Sequence, residues 1–214
     1  MSLLRTNFYG DPNLGLYGFA TDAFCLAGVE IKKNAKKTLH VPVHSCKIMN
    51  TELVGIFATG NRSGIILPKL EKHEMEKIEK IASTLVLKSR YTAFGNLIMI
   101  NDKGAIISPF LRKHRKEIAD FFKIECEVST IAGLRVTGSL GIATNKGCLV
   151  HPKIRDKEKE LIEKTLQVPV HIGTVNFGSP FVKCGIVANR FGVLASEQST
   201  GYELGRITES LGFI

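Results

Sequence analysis

The chain has 214 residues and a formal net charge of +9 at pH 7, with 44% hydrophobic and 23% charged residues. This composition is that of a folded globular protein and excludes an intrinsically disordered chain. The excess of basic side chains favours encounter with polyanions such as nucleic acid, although it says nothing about the fold.

Membrane insertion, export and disulfide bonding are not predicted. No run approaches the roughly 18 consecutive apolar residues that cross a bilayer, and the first residues, MSLLRTNFYG, lack the apolar core of a signal peptide. The five cysteines are scattered and form no CxxC pair, so we expect reduced thiols rather than disulfides or a zinc ribbon. We therefore expect a cytoplasmic protein without a membrane partner.

A short pattern recurs along the chain and predicts hairpins. The copies are GFATDAFCLAG, FATGNRSGIILP, IMINDKGAIISP, GIATNKGCLVHP and GIVANRFGVLAS. Each has an apolar run, an Asn or Asp anchor, two linking residues, a small residue and then aliphatic residues. Asn, Asp and Gly tolerate the positive φ of tight hairpin turns, and proline cannot continue a sheet ladder. The anchors are Asp22, Asn61, Asp102, Asn145 and Asn189, and three copies end on proline at Pro68, Pro109 and Pro152.

An amphipathic helix is predicted after each hairpin, because apolar residues recur at i, i+3, i+4 and i+7. In KLEKHEMEKIEKIASTL these residues are Ile78, Ile81, Ala82 and Leu85. An extended run follows each of the first four helices, and another, LLRTNF, comes before the first hairpin. The five predicted helices lie near 29–38, 69–85, 111–122, 154–165 and 204–211.

The extended runs TLHVPVH, from Thr38, and TLQVPVH, from Thr165, lie 127 residues apart, which is three periods. A unit of about 43 residues cannot bury its own apolar surface. An open stack would need polar caps, whereas a ring needs none. We therefore predict one α/β domain, 1–214, folded as a closed five-bladed αβ-propeller with its helices outside. Its units lie near 1–38, 39–84, 85–122, 123–166 and 167–214.

The chain resembles the translation initiation factor 6 family in its archaeal form, over essentially all residues. The most specific stretches are GNRSGIILP (60–68), NKGCLVHP (145–152), LQVPVHIGTVNFGS (166–179) and ANRFGVLASEQSTGYELG (188–205). The resemblance implies the pentein fold, a closed ring of five ββαβ-type units. It also implies a monomeric factor, without cofactor or catalysis, that binds the large ribosomal subunit and keeps the small subunit from joining. A role in large-subunit maturation stays open.

The resemblance also implies which residues contact ribosomal proteins and nearby ribosomal RNA. They cluster near the start of second strands, with the turn pair Asn61–Arg62 and the asparagine of GTVN in addition. A five-residue strand spans about 16 Å, so the turn pair and the strand starts cannot share one contact point. The ribosome-facing set is Gly15, Asn61, Arg62, Gly95, Asn96, Leu140 and Asn176.

Basic side chains lie within one residue of four anchors, at Arg62, Lys103, Lys146 and Arg190. Five-fold pseudosymmetry would spread them around one rim as an annulus of positive charge. Such an annulus could reach phosphate or an acidic partner. The alternative is that exposed turns simply favour Lys and Arg, and the sequence leaves both open.

The competing hypothesis is a guanidine-modifying enzyme of the deiminase or amidinotransferase type, because these enzymes share the pentein fold. Cys184 and His171 would be its nucleophile and base if they touched. However, Cys184 precedes GIVAN on a predicted strand, and the units leave little length for a fenced pocket. Cys148 and His151 offer two metal ligands at most and are expected to be core and cap. We therefore predict no catalytic, metal or cofactor site.

Overall fold

The computed structural model describes residues 3–214, which form short strands and helices in a repeating order. The helices are α1 (Leu14–Tyr17), α2 (Lys33–Leu39), α3 (Val54–Phe57), α4 (Lys72–Glu79), α5 (Phe94–Leu97), α6 (Arg115–Phe122), α7 (Asp156–Leu166) and α8 (Gly201–Ser210), with 3₁₀ turns at Pro109–His114 and Val182–Gly185. The strands are β1 (Leu3–Thr6), β2 (Gly18–Ala20), β3 (Cys25–Ala27), β4 (Val43–Ser45), β5 (Thr59–Asn61), β6 (Gly64–Leu67), β7 (Thr84–Val86), β8 (Ile98–Ile100), β9 (Gly104–Ile107), β10 (Glu125–Val128), β11 (Gly141–Ala143), β12 (Cys148–Val150), β13 (Val170–Ile172), β14 (Ile186–Ala188) and β15 (Val193–Ser196).

These strands form five three-stranded sheets, so the protein is a mixed α/β molecule consistent with a pentein-like fold of five repeats. In each sheet the central strand pairs antiparallel with its hairpin partner and parallel with a third strand. In the second unit, for example, Gly60 of β5 pairs with Ile65 of β6, and Ile66 of β6 pairs with Leu85 of β7. The sheet orders are β2-β3-β4, β5-β6-β7, β8-β9-β10, β11-β12-β13 and β1-β15-β14.

The sheets cross the unit boundaries that the sequence suggested. The third strand of each sheet is the first strand of the following unit, and it comes after the helix. The last sheet takes its third strand from the beginning of the chain, since Leu3 of β1 pairs with Val193 of β15 in parallel register. The hairpins were predicted correctly, but each unit completes the sheet of its neighbour.

The repeated VPV segment has the same local structure in both copies. In each, the threonine hydroxyl donates to the carbonyl four residues earlier, at 3.0 Å from Thr38 and 2.8 Å from Thr165. In each copy a leucine follows the threonine, and the residue after that leucine ends the helix. Its backbone is left-handed, with φ of 53° at His40 and 52° at Gln167. The near-identity of the two sequences therefore reflects one helix-to-strand junction used twice.

The predicted helices agree with the structure in their position along the chain but not in their length. Helix α4 ends at Glu79, so Ile81 and Ala82 lie beyond it and Leu85 belongs to β7. The helical periodicity failed there because the sheet pairing of Leu85 with Ile66 prevails over a weak local pattern. The four-residue helices α1, α3 and α5 carry too little periodicity to be predicted.

Each long helix packs against its sheet through fully buried aliphatic side chains. Five separate clusters of buried residues make up the core, and one long helix contributes to each of them. The helical side chains at these places are 0% exposed, and they are Leu39, Ile78, Ile118, Ile162 and Ile207. No helix within residues 3–214 is long and apolar enough to cross a membrane.

The strand directions define two ends of the molecule. The hairpin end carries the tight turns between the first two strands of each sheet. The glycine end, at the opposite ends of the same strands, carries α1, α3, α5 and the 3₁₀ turn Val182–Gly185. Because each third strand runs parallel to the central one, the turns that follow β1, β4 and β13 also lie at the glycine end.

Candidate binding surfaces

The hairpin turns differ by one residue from the predicted alignment of anchors. In the second unit the last strand pair is Asn61 with Gly64, so Arg62 is the first turn residue. In the third unit Asn101 bonds to Gly104, so the first turn residue is Asp102. The prediction that all five anchors occupy the same structural position was therefore wrong in units two and five. There Asn61 and Asn189 precede the turn by one residue, because Asn is acceptable both before and within the turn. The equivalent first turn residues are Asp22, Arg62, Asp102, Asn145 and Arg190.

The residue before each turn is buried, and it joins neighbouring units where it is asparagine. The Asn101 amide donates to the carbonyls of Thr144 at 3.1 Å and Leu166 at 2.9 Å. The Asn61 amide donates to the Asn101 carbonyl at 3.2 Å, and Asn61 is 3% exposed. Of the predicted pair Asn61–Arg62, the first residue therefore holds units together and only the second is exposed.

Turns from all five units are connected at the hairpin end. The Asn145 side-chain amide donates at 2.6 Å to the carboxylates of both Asp22 and Asp102. The same carboxylates accept backbone N–H groups, from Arg190 at 2.9 Å and from Arg62 at 3.0 Å. The two acidic side chains therefore connect the turns of separate units.

The four basic turn side chains are exposed at the hairpin end, but this end is not uniformly positive. Asp22 and Asp102 lie in turns at the same end and accept the backbone N–H groups of Arg190 and Arg62, so the two carboxylates offset half of that charge. The ammonium of Lys103 also donates to the Gln167 carbonyl at 3.0 Å. The hairpin end therefore presents basic groups together with two carboxylates.

At the glycine end, glycines from four units lie against one another. A Cβ added at Gly55 would overlap the carbonyl oxygen of Gly15, and one added at Gly95 would overlap that of Gly55. A Cβ at Gly138 would overlap the carbonyl oxygen of Gly95 in the same way. Gly15 and Gly95, which the resemblance assigned to ribosome binding, are thus buried where the backbones of neighbouring units touch.

Lys183 occupies the corresponding place in the fifth unit. Its carbonyl oxygen lies where a Cβ on Gly15 would be, and its side chain crosses to two other units. The Nζ atom donates to the carbonyls of Gly55 at 3.1 Å and Gly95 at 2.5 Å. Burial lowers the pKa of Lys183 to about 8. Sequence reasoning missed this residue, and the available signal was a lysine in SPFVKCG before the strand, where other units carry glycine.

The remaining predicted contact residues also lie at the glycine end. Asn96 is half-buried, and its carbonyl accepts the Gly138 N–H at 2.9 Å. Leu140 is 0% exposed and belongs to the core. Asn176 shapes a turn, with φ of 51°, and its amide donates to the Asn13 side chain at 3.2 Å. The predicted set is therefore divided, with Asn61 and Arg62 at the hairpin end and the others at the glycine end.

Large exposed hydrophobic side chains concentrate at the glycine end. Tyr9 and Phe177 lie on turns there, 75% and 84% exposed, and Tyr202 at the start of α8 is 80% exposed. Met49 and Phe181 add partly exposed apolar surface at this end. Aromatic residues and methionine are enriched where proteins bind one another. The glycine end is therefore the better candidate for a protein-binding face.

The thiol chemistry of the competing hypothesis is not supported by the environment of Cys184. This residue lies in the 3₁₀ turn Val182–Gly185, not on the predicted strand. Burial raises its pKa, although the neighbouring Lys183 opposes the change. A catalytic nucleophile needs the opposite shift, toward the thiolate.

Cys148 and His151 also have structural surroundings. Cys148 is fully buried, burial raises the pKa of its thiol, and its Sγ lies 3.7 Å from the Met99 sulfur. His151 accepts the Lys153 N–H through Nδ1 at 3.0 Å. Within residues 3–214 no three His, Cys, Asp or Glu side chains are grouped as metal ligands.

The molecule consists of repeated units whose glycine backbones pack against one another and whose exposed aromatic residues concentrate at one end. These features are consistent with a pentein-like protein that offers surfaces for binding. The chain belongs to the eIF-6 family, whose model matches residues 3–210. Translation initiation factor 6 of Pyrococcus horikoshii is 40% identical over the whole of both chains. Its namesake in Methanocaldococcus jannaschii is 35% identical over 99% of each chain, and that of Haloquadratum walsbyi is 37% identical over 99% of this chain and 97% of its own.

Family membership places the chain among translation factors, and the relatives are archaeal. Their common name as initiation factors points to a protein that is not an enzyme.

Proposed function

We propose that this protein is a closed five-bladed propeller that binds the large ribosomal subunit and prevents the small subunit from joining. Closure is supported by the pairing of Leu3 with Val193. It is also supported by the contact of Lys183 in the fifth unit with Gly15 in the first. A closed ring leaves its units no freedom to separate, which suits a factor that acts as a rigid obstacle.

The docking face in this proposal is the glycine end. The observation that carries it is the concentration of exposed aromatic side chains there, at Tyr9, Phe177 and Tyr202. Aromatic side chains are enriched where proteins bind one another, since they bury a large area at a small cost in conformational entropy. Asn96 is half-buried at the same end and supplies a polar group. The principal partners are therefore ribosomal proteins of the large subunit.

The proposed mechanism is steric exclusion in the cytoplasm, with no bond made or broken. Bound to the face that the small subunit needs, the disc blocks subunit joining for as long as it stays in place. The positive residues of the hairpin end, Arg62, Lys103, Lys146 and Arg190, then point away from the docked face. They are available to ribosomal RNA or acidic segments nearby, and the net charge of +9 assists the encounter.

The experiment compares two exposed turn phenylalanines at opposite ends. Phe177→Asn removes an aromatic group from the glycine end, and Phe191→Asn removes one, 39% exposed, from the hairpin end. We expect Phe177→Asn to weaken co-sedimentation with large subunits about tenfold, and Phe191→Asn to have little effect. Both variants should unfold at nearly the wild-type temperature. Equal binding by the two variants would refute the choice of face, and wild-type protein that fails to sediment at low salt would refute docking itself.

A further inference from the structure

A buried glutamate holds the turn beside the helix in the fourth and fifth units. Glu158 of α7 accepts the Ala132 N–H at 2.8 Å, the Gly133 N–H at 3.0 Å and the Thr130 hydroxyl at 2.5 Å. Glu203 of α8 accepts the Gly178 N–H at 2.8 Å and bonds to Phe177 and Thr174 in the same manner. The carboxylate therefore fills the space between turn and helix and satisfies the N–H groups of the turn.

The second unit has the same arrangement in a weaker form. Glu74 of α4 is 4% exposed, and it accepts the Asn50 N–H at 2.9 Å. Glu74, Glu158 and Glu203 all occupy the third position of their helices. The turns they hold are bounded by equivalent bridges, which include Ile48 with Thr51 in unit two.

The first unit has the turn but lacks the carboxylate. Its turn is bounded by Phe8 and Asp11 and presents Tyr9 and Gly10, the counterparts of Ala132 and Gly133. The third residue of α2 is Ala35, which is buried but too short to reach the turn. A local substitute exists for one donor only, since the Asn7 side chain accepts the Gly10 N–H at 2.9 Å.

A cavity of about 250 Å³ lies at this place in the first unit. Its lining includes Asn7, Tyr9, Lys32 and Ala35, so it is bounded by the turn on one side and the helix on the other. In units four and five the glutamate carboxylate occupies the corresponding space. The equivalent cavity of unit two, about 310 Å³, has Glu74 in its lining, whereas the first-unit cavity has Ala35 at that helix position. The first-unit cavity is therefore a socket without the carboxylate that the third helix position supplies in units two, four and five.

The charge around the socket is also suited to a carboxylate. The segment KKNAKK (32–37) contributes four exposed lysines, and α2 contains no acidic residue. Glu30 is the acidic side chain in the lining, and Lys32 stands beside it. We propose that this socket binds an aspartate or glutamate side chain of an acidic protein segment, which enters from outside and completes the clamp.

The test uses a fluorescent peptide of alternating glutamate and glycine, with a glutamine–glycine peptide and an oligouridylate of equal charge for comparison. We expect wild-type protein to bind the glutamate peptide about tenfold more tightly than the glutamine peptide. Ala35→Glu supplies the absent carboxylate from within. We expect it to abolish this preference and to raise the unfolding temperature by about 2 °C. Unchanged peptide affinity in a folded Ala35→Glu protein would overturn the proposal.

A second pair of variants keeps the proposal testable if Ala35→Glu does not fold. Lys32→Glu changes an exposed lysine of the socket, and Lys153→Glu makes the same change of charge in unit four. We expect only Lys32→Glu to weaken peptide binding, by about tenfold. An equal loss of peptide affinity in both variants would show that net charge alone is responsible and would reject the socket. If oligouridylate binds more tightly than the glutamate peptide and displaces it, the site binds phosphate instead and the proposal is overturned. The peptide assay contains no ribosomes, so its outcome is separate from that of large-subunit docking.

Discussion

The side-chain nitrogen of Lys183 lies 2.5 Å from the carbonyl oxygen of Gly95, although 88 residues separate them in the sequence. The same nitrogen reaches the Gly55 carbonyl at 3.1 Å. One lysine of the fifth unit therefore bonds to the second and third units at once. A buried amine pairs with two carbonyls here, and carbonyl groups carry no full negative charge to balance an ammonium. The cost of burial consequently appears as a lowered pKa.

The first prediction concerns the pH dependence that Lys183 confers on stability. Its pKa is 10.5 when unfolded and about 8 in the folded protein, because burial disfavours the charged form. Between these values the unfolded chain binds more protons, so the contribution of Lys183 to the free energy of unfolding rises with pH from 8 to 10.5. The full change is roughly 3 kcal/mol.

Lys183→Met removes the titrating group while keeping its length. Urea unfolding of both proteins at several pH values gives the difference in free energy. We expect the wild-type protein to gain unfolding free energy relative to Lys183→Met as the pH rises above about 8. Taking the difference cancels the contribution of the buried cysteines, which act in the opposite direction. Parallel curves for the two proteins would contradict the prediction.

The second prediction compares two glycine-to-alanine substitutions. At Gly55 the new methyl group would overlap the Gly15 carbonyl, so we expect Gly55→Ala to lower the unfolding free energy by about 3 kcal/mol or to prevent folding. Gly205 lies in α8 with no atom within 4 Å of an added Cβ. Gly205→Ala should raise stability by about 0.5–1 kcal/mol, because it lowers the entropy of the unfolded chain. Thermal unfolding measures both, and a tolerated Gly55→Ala would mean that the units separate easily.

The third prediction concerns the asparagine that links units three and four. Asn101→Asp keeps the shape of the side chain but removes the amide that donates to Thr144 and Leu166. We expect a loss of about 3 kcal/mol in denaturant unfolding, since two buried carbonyls lose their partner and face a carboxylate. Asn34→Asp, at an exposed position of α2, is the matched control and should change stability little. Similar losses from both would show that the linkage contributes nothing of its own.

The fourth prediction concerns the glutamate clamp in acid. Burial raises the pKa of Glu158, but hydrogen bonds from Thr130 and from the backbone of Arg155, Gly133 and Ala132 outweigh it, and the net pKa is lowered. The stability that Glu158 provides is therefore present above its unfolded pKa of 4.5 and lost as the pH falls through the lower folded value.

Glu158→Gln should thus cost about 2 kcal/mol at pH 7 and progressively less as the pH falls below 4.5. Glu160→Gln, an exposed site on the same helix, serves as the control and should have a small effect at every pH. A cost for Glu158→Gln that is independent of pH would show that the carboxylate charge is not what the turn binds.

The repeat could be predicted from the sequence because its signals are local. Turn residues, proline at the strand ends and the VPV junction at Thr38 and Thr165 act within a few residues, so they appear directly in the order of amino acids. The exchange of strands between units is not local. It depends on which strand β4 pairs with after a helix and on the pairing of β1 with the distant β15, and no short pattern of residues specifies that choice.

The candidate site was predictable in part for the same reason. The basic turn residues were found, since Arg62 and Lys103 are close to recognisable turn signals. The role of Asn61 was not, because its burial depends on the Asn101 carbonyl of another unit. Lys183 was missed because the lysine in SPFVKCG gains its meaning only from the stacked backbones of Gly15, Gly55 and Gly95, which show that it takes the place of a glycine. The ribosome-facing residues as a set stay a prediction.

The parallel pairing of Leu3 with Val193 has a consequence for biosynthesis. Strand β1 is synthesised long before its partner β15, so the fifth sheet can assemble only after β15 has been translated. Until then β1 lacks the strand with which it pairs in the folded protein. Contacts of such long sequence separation slow folding, and the pairing of β1 with β15 is the step that joins the first unit to the fifth.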